Sequence, residues 1–323
     1  MFASPGFHGY SVKFSPFFPN KLACVACQQY GISGGSCLFI LETLPDPQKP
    51  LALSAAHKWN DGLFDVSWSE KNDHVCVTAS GDGSIQIWDI LKPAGGPDRI
   101  LRGHQKEVYC VDWSPNNRGD DLILSGSWDQ TAKVWDPNRV EAAPLSTFSG
   151  HYGIVYNAVW SPHIPGCFAS CSGDGTLRVW DTRKTYMPQN IIPAHGAEVL
   201  SCDWSKYDQN ILVTGSVDCS LKIWDLRNSR LPIRQLFGHG YAVRRVKFSP
   251  HEASILASCS YDFTVRVWNT AAPETTSPIL EVIDHHSEFV YGLDFNNHIP
   301  GMIADCSWDT KTMIYKPKSL IKI

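Results

Sequence analysis

Apolar residues along this chain fall in short runs closed by turn residues, and the runs come in sets. One set reads Val108-Tyr-Cys-Val-Asp-Trp113, a Ser-Pro turn, Leu122-Ile-Leu-Ser-Gly-Ser127, Thr131-Ala-Lys-Val-Trp135 and Leu145-Ser-Thr-Phe148. Such runs, punctuated by Gly, Pro, Asn and Asp, predict short strands rather than helices. No window approaches the roughly 18 consecutive apolar residues of a membrane helix. The N-terminus Met1-Phe-Ala-Ser-Pro-Gly6 lacks a basic segment followed by an apolar one. A soluble chain that is not secreted and does not insert into a membrane is expected.

The sets repeat. Trp-Asp pairs begin at Trp88, Trp135, Trp180 and Trp224, and Trp268-Asn269 continues them, at intervals of 47, 45, 44 and 44 residues. A His precedes each, at His57, His104, His151, His195 and His239, with a sixth at His286. An Asp follows each His by 23 or 25 residues, at Asp82, Asp129, Asp174, Asp218, Asp262 and Asp309. An aromatic residue stands six beyond each Asp, the last being Tyr315. Four short strands per unit, repeated, predict an all-β protein, a seven-bladed β-propeller.

The chain resembles WD40-repeat proteins over nearly its whole length. Six units occupy about 57–318, and residues 1–56 read as a degenerate first blade, because Tyr10-Ser-Val-Lys-Phe-Ser-Pro16 matches Arg244-Arg-Val-Lys-Phe-Ser-Pro250. One domain, 1–323, is expected. The outer strand of the last blade could come from Ser319-Leu-Ile-Lys-Ile323 or from the residues before Tyr10.

Composition narrows the function. With 28 Lys+Arg against 32 Asp+Glu the net charge is −4, which argues against a polybasic nucleic-acid binder. The charged fraction of 19% beside 43% apolar residues suits a chain with a large core. Eleven Cys, an odd count without paired spacing, read as free buried thiols. Cys24-Val-Ala-Cys27 has zinc-ligand spacing, but no second pair accompanies it. No metal and no cofactor is expected.

Each unit also holds a Ser or Thr four residues before its Asp, at Thr78, Ser125, Ser170, Thr214 and Ser258. Ser, His and Asp together suggest a hydrolase triad. A triad is assembled once, however, and this set recurs in five units, so no enzyme is expected. The resemblance implies structural tetrads instead. They are His57, Thr78, Asp82 and Trp88; His104, Ser125, Asp129 and Trp135; His151, Ser170, Asp174 and Trp180; His195, Thr214, Asp218 and Trp224; His239, Ser258, Asp262 and Trp268. A sixth set is doubtful, with Asp305 in the Ser place and Tyr315 in the Trp place.

The resemblance also implies which positions face the channel mouth. One position per blade gives Tyr10, Phe64, Tyr109, Tyr156, Leu200, Arg244 and Tyr291, and positions three after the His include Glu107, Ile154, Glu198 and Phe289. Residues before the turn Asp include Trp128, Tyr261 and Trp308, and Asp61 comes from an insert after His57. Aromatics with a few carboxylates suit an amphipathic peptide that carries an apolar stripe and basic residues. Of the twelve Trp, Trp59, Trp128 and Trp308 stand outside the repeat pattern, as candidates for binding.

Several stretches, among them Trp59-Asn-Asp-Gly-Leu-Phe-Asp-Val-Ser-Trp-Ser-Glu70, Ile192-Pro-Ala-His195 and Ser258-Cys-Ser-Tyr-Asp-Phe-Thr-Val265, are similar to one family. This is the WD40 peroxins that act as soluble receptors for the type-2 peroxisomal targeting signal. The resemblance implies binding, in the cytosol, of cargo proteins with an N-terminal Arg-Leu-(five residues)-His-Leu signal. It further implies a co-receptor, docking machinery at the peroxisomal membrane, and cycling between cytosol and peroxisome. Glu107, Glu198 and Asp61 would pair with the cargo Arg and His, and Tyr109, Trp128, Tyr156, Tyr261 and Trp308 would hold its apolar side. The competing reading is a scaffold subunit of a ubiquitin ligase or chromatin complex.

Overall fold

The computed structural model describes residues 1–45, 50–92, 95–115 and 121–321. Their strands form seven four-stranded antiparallel sheets, each a run of neighbouring strands. Blades 1 to 6 occupy residues 8–59, 63–102, 108–149, 155–193, 199–236 and 243–283, and blade 7 occupies 290–315 plus Phe2–Ala3. The expected seven-bladed propeller is the observed fold.

Burial explains the sequence pattern. Second strands such as Cys167–Ser172 are buried throughout, because both faces meet neighbouring blades. Outer strands such as Ile279–Ile283 alternate between half-buried and more exposed positions. Apolar clusters bridge adjacent blades: Val77 and Ile87 of blade 2 pack with Val108, Trp113 and Trp135 of blade 3.

Closure of the ring uses the N-terminus. Phe2 pairs with Thr312 and Ala3 with Lys311, which completes blade 7. Lys318–Leu320 instead forms a 3-10 turn that buries Leu320, while Lys322 and Ile323 lie outside the described residues. Both ends of the chain thus meet in one sheet, and no long strand edge is left open there. The degenerate blade is complete, with strands His8–Phe14, Lys21–Cys27, Ser36–Thr43 and Leu51–Trp59.

Four tetrads form as expected. In blade 3, His104 Nδ1 lies 2.8 Å from Asp129 Oδ2 and its Nε2 lies 2.8 Å from Ser125 Oγ, which also accepts from Trp135 Nε1 at 2.8 Å. A neutral imidazole with its proton on Nδ1 satisfies all three bonds. The same sets close on His151, His195 and His239. Burial holds these four histidines below the usual imidazole range. Burial would raise the Asp129 carboxyl, but hydrogen bonds from His104, Thr131 and the Gln105 amide outweigh it and hold the group well below the usual range.

Blade 7 has a fifth set of different charge. Asp305 replaces Ser and accepts from His286 Nε2 at 2.9 Å, from His285 Nε2 at 3.0 Å and from the Tyr315 hydroxyl at 2.7 Å. His286 Nδ1 lies 2.9 Å from Asp309 Oδ2. Burial disfavours the imidazolium, but the two carboxylates outweigh it and His286 is pushed up to about 9. His285, His286 and Asp305 have the composition of a metal site, yet the imidazole Nε2 atoms and both carboxylate oxygens are engaged in these hydrogen bonds.

The blade 2 tetrad corrects the sequence reading. His57 is not part of it: the residue sits within the strand Leu51–Trp59, opposite Leu38, and its buried Nε2 has no hydrogen-bond partner. Trp88 Nε1 does donate to Thr78 Oγ1 at 2.8 Å. From there a relay runs from the Thr78 hydroxyl to Gln86 Oε1 at 2.8 Å, from Gln86 Nε2 to Ser84 Oγ at 2.6 Å, and from Ser84 to Asp82. Trp59 takes the place of the histidine. It stands four residues before the first strand of blade 2, as His104 does for blade 3. Its Nε1 donates to Ser80 Oγ at 2.9 Å and its ring packs edge-on against Trp88. Trp59 is therefore scaffold, not a free candidate for binding.

Candidate peptide-binding face

Seven β-bulges build the channel mouth. In every blade the pairing of the first two strands skips one residue, and the skipped residues are Tyr10, Phe64, Tyr109, Tyr156, Leu200, Arg244 and Tyr291. A bulge leaves its extra residue unpaired and re-aims the side chain. The seven positions singled out from the sequence are thus equivalent, and they ring one end of the channel.

Most of this ring is a connected aromatic surface. Ring centroids lie 5.3 Å apart for Tyr10 and Phe64, 5.4 Å for Phe64 and Tyr109, 5.6 Å for Tyr109 and Tyr156, and 4.8 Å for Tyr10 and Tyr291. Arg244 closes the gap from blade 6. Its guanidinium lies 5.0 Å from both the Tyr109 and Tyr291 rings, and no acceptor faces its Nε or Nη2. Cation–π contact with two tyrosines takes the place of an ion pair. Leu200 fills the one aliphatic place, and it, Phe64, Arg244 and Tyr291 are buried in the throat.

A rim stands above the throat. Trp308 stacks on Tyr291 at 4.7 Å, and Tyr261 bonds the Tyr291 hydroxyl at 3.1 Å. Burial and neighbouring tyrosines, opposed by Arg244, push the Tyr261 hydroxyl up to about 12. Backbone hydrogen bonds join the two remaining classes of predicted position. The carbonyl of Glu107 accepts the Trp128 amide at 3.0 Å, that of Glu198 accepts Val217 at 3.0 Å, and that of Phe289 accepts Trp308 at 3.0 Å. Trp128 is exposed and lies 6.3 Å from Tyr109. Glu198 is exposed too, and its Oε2 accepts the Tyr156 hydroxyl at 3.0 Å. Asp61 is half-buried, with Oδ1 accepting from the Gly62 amide at 2.6 Å. All twelve predicted residues therefore gather at one end of the propeller.

Tyr30 was not legible as part of this face. The degenerate blade lacks the usual Asp turn, and its loop carries Gln29 and Tyr30 at φ 43° and 55°. Tyr30 stacks on His8 at 3.8 Å and approaches Trp308 at 5.2 Å, and its carbonyl accepts the Tyr10 hydroxyl at 2.6 Å. Ile32 on the same loop is 87% exposed. The glycines Gly31, Gly34 and Gly35 mark a loop in the sequence, but not its direction.

Comparison with known proteins agrees with this architecture. The "WD domain, G-beta repeat" family matches residues 48–89 and 95–136, and the "EIPR1 beta-propeller" family matches 141–268. Each WD match supplies the outer strand of one blade and three strands of the next. The WD40 β-propeller domain of Doa1 superimposes with a TM-score of 0.80 at 21% identity, over 98% of this chain and 96% of that one, a likeness of fold. The mouse peroxisomal targeting signal 2 receptor is 55% identical over 98% of this chain and 96% of its own length. This chain belongs to the peroxisomal targeting signal 2 receptor family. Over shorter stretches, about a third of each chain, the Dictyostelium discoideum receptor is 46% identical and Arabidopsis thaliana peroxisome biogenesis protein 7 is 44% identical. In this receptor family member the tetrads are absorbed by the scaffold, which leaves the aromatic mouth and its carboxylates as the chemically distinctive surface.

Proposed function

We propose that this chain is a peroxisomal import receptor that binds the N-terminal type-2 signal of cargo proteins at the aromatic mouth. The observation that carries this is the joining of a connected arc of five aromatics in the throat to a rim bearing Glu107, Glu198 and Asp61. In a signal of the form Arg-Leu-(five residues)-His-Leu, the Arg and His are seven residues apart, and so are the two Leu. On a helix that spacing is about two turns, which puts each pair on one face. The apolar face lies on Tyr109, Trp128, Tyr156, Tyr261 and Trp308, and the basic groups meet the carboxylates.

The receptor works with a co-receptor, hands its cargo to docking machinery at the peroxisomal membrane, and cycles from the cytosol. Among the described residues no helix is long and apolar enough to cross a membrane. It acts by binding and not by catalysis, since its recurrent Ser, His and Asp groups bond one another within the blades. A pull-down with an Arg-Leu-(five residues)-His-Leu peptide, against one with Arg and His replaced by Ala, tests the reading. Selective recovery of the protein by the first is expected; equal recovery points to a generic scaffold.

A further inference from the structure

Blade 7 departs from the four ordinary tetrads at three places that meet in one point. The residue before the tetrad histidine is Gly103, Gly150, Ala194 or Gly238 in the ordinary sets and His285 here. At the ordinary position a side chain would meet the tryptophan: a Cβ on Gly103 or Gly238 would lie 3.0 or 3.1 Å from the edge of the Trp135 or Trp268 indole. In blade 7 the smaller ring of Tyr315 leaves room for a second imidazole, and the His285 ring stands edge-on to it at 4.9 Å. The third change puts Asp305 where a Ser or Thr hydroxyl otherwise meets the histidine.

The result is a convergence of donor atoms. Among the described residues this is the one cluster that brings three metal-ligating atoms within 4.8 Å of one another. Asp305 Oδ1 lies 2.9 Å from His286 Nε2 and 3.2 Å from His285 Nε2. Ligands about 2.0–2.1 Å from a tetrahedral zinc ion stand about 3.3 Å apart, so these atoms are already near ligand spacing. The outer partners are in place as well. His286 Nδ1 donates to Asp309 Oδ2 at 2.9 Å, the carboxylate–histidine pairing that aims the Nε2 of a metal-bound imidazole. The Tyr315 hydroxyl holds Asp305 Oδ2 at 2.7 Å and leaves Oδ1 to the two imidazoles. His286 and Asp305 are buried, while the His285 side chain is 23% exposed and forms the way in.

We propose that His285, His286 and Asp305 form a zinc site, which takes the ion in place of the protons that bridge the two imidazoles to the carboxylate. His285 Nε2, His286 Nε2 and Asp305 Oδ1 bind the ion, and water entering past His285 takes the fourth position. The proton on His286 Nε2 leaves to solvent, and His285 shifts its own to Nδ1. Two imidazoles and one carboxylate suit zinc and disfavour magnesium and calcium, which take oxygen ligands. The ion ties the loop entering blade 7 to that blade's second strand, Ile303–Ser307. This is the blade completed by only two residues, Phe2 and Ala3, and the one that carries Phe289 and Trp308 of the rim. The role is structural: bound zinc holds the closing blade together. Two adjacent histidines with an Asp twenty residues on match no familiar zinc spacing, so the sequence alone shows no sign of the site.

The test uses the full, tag-free chain freed of metal with a chelator. Calorimetric titration with zinc chloride is expected to show one ion bound per chain, with no uptake of magnesium. Cobalt(II) is expected to give the visible absorption of a four-coordinate site, and zinc to raise the melting temperature. His285→Ala removes the outer ligand, and the triple variant His285→Gly, Asp305→Ser, Tyr315→Trp rebuilds in blade 7 the set that blade 3 uses. Both lose at least about 100-fold in zinc affinity, since even an outer partner of a ligand is worth about 10–100-fold, and both lose the rise in melting temperature. Absence of zinc and cobalt uptake by the wild type overturns the proposal, and so does uptake undiminished in either variant, which places the ion elsewhere. Binding of an Arg-Leu-(five residues)-His-Leu peptide is measured separately on metal-free protein, so none of these outcomes bears on the cargo site.

Discussion

The carbonyl oxygen of Glu107 accepts the backbone amide of Trp128 at 3.0 Å, so an acid and an exposed aromatic of the rim are fixed side by side. Their side chains stand on the loop entering blade 3 and on the turn between its second and third strands. A ligand with an apolar and a basic group on one face meets both at once. Trp128→Ala removes a side chain that is 38% exposed and whose ring lies tilted beside Tyr109 at 6.3 Å. It is expected to weaken binding of the cargo-signal peptide by at least about 2 kcal/mol, the scale of an interface hot spot, with little change in melting temperature. Isothermal titration calorimetry and a thermal melt on the same sample check this.

Tetrad residues are expected to behave oppositely. Asp174→Ala strips His151 Nδ1 and the Thr176 hydroxyl of their shared acceptor. A cost of about 1–3 kcal/mol follows from each buried group left unpaired. The melting temperature should fall, while peptide affinity measured well below it holds. A variant that kept its stability and lost binding would remove this residue from the scaffold.

Blade 2 offers a sharper comparison. His57 Nε2 is buried without a partner, whereas His104 Nε2 holds Ser125. His57→Leu is expected to be neutral or stabilising, because it replaces an unsatisfied polar group with an apolar one. His104→Leu and Gln86→Leu should each cost about 1–3 kcal/mol in urea unfolding. A large loss for His57→Leu would reinstate it in the network.

The propeller carries histidines of two kinds. His286 is pushed up to about 9 by Asp305 and Asp309, above its unfolded value of about 6.5. Its contribution to stability is therefore full below about pH 6.5 and is lost as pH rises through about 9. His104, His151, His195 and His239 have lowered values. They weaken the fold as pH falls below about 6.5, where only the unfolded chain takes up their protons. Thermal melts from pH 5 to 10 should show a decline on both sides. His286→Gln should flatten the alkaline side alone, and an NMR titration should place His286 apart from the other four.

What the sequence made legible follows from what repeats. Six His-to-Asp intervals and six Asp-to-aromatic intervals outline blades 2 to 7, since each blade solves the same packing and hydrogen-bonding problem with the same residues. The bulge positions were legible for the same reason, as one residue per blade at a constant offset. Where a blade departs from the repeat, the reading fails. In blade 2 the 25-residue interval from His57 to Asp82 equals that from His104 to Asp129. Yet the second contains extra residues between strands, while the first has extra residues before its first strand. Strand pairing therefore carries His57 away from the turn, and Trp59 moves into its place. Tyr30 was hidden because its loop belongs to no repeat, and closure by Phe2 and Ala3 because a two-residue strand leaves no periodic trace.

The central claim is that carboxylates on the aromatic rim recognise the basic groups of a type-2 signal. Calorimetric titration of an Arg-Leu-(five residues)-His-Leu peptide into the wild-type protein and into Glu107→Lys and Glu198→Lys tests it most directly. Both side chains project from the rim, Glu198 exposed and Glu107 half-buried, so melting temperatures should stay within a degree or so of wild type. Affinity is expected to fall by about 2–5 kcal/mol where the lost charge partner is desolvated in the complex. Unchanged affinity in both variants, at unchanged stability, would contradict the account.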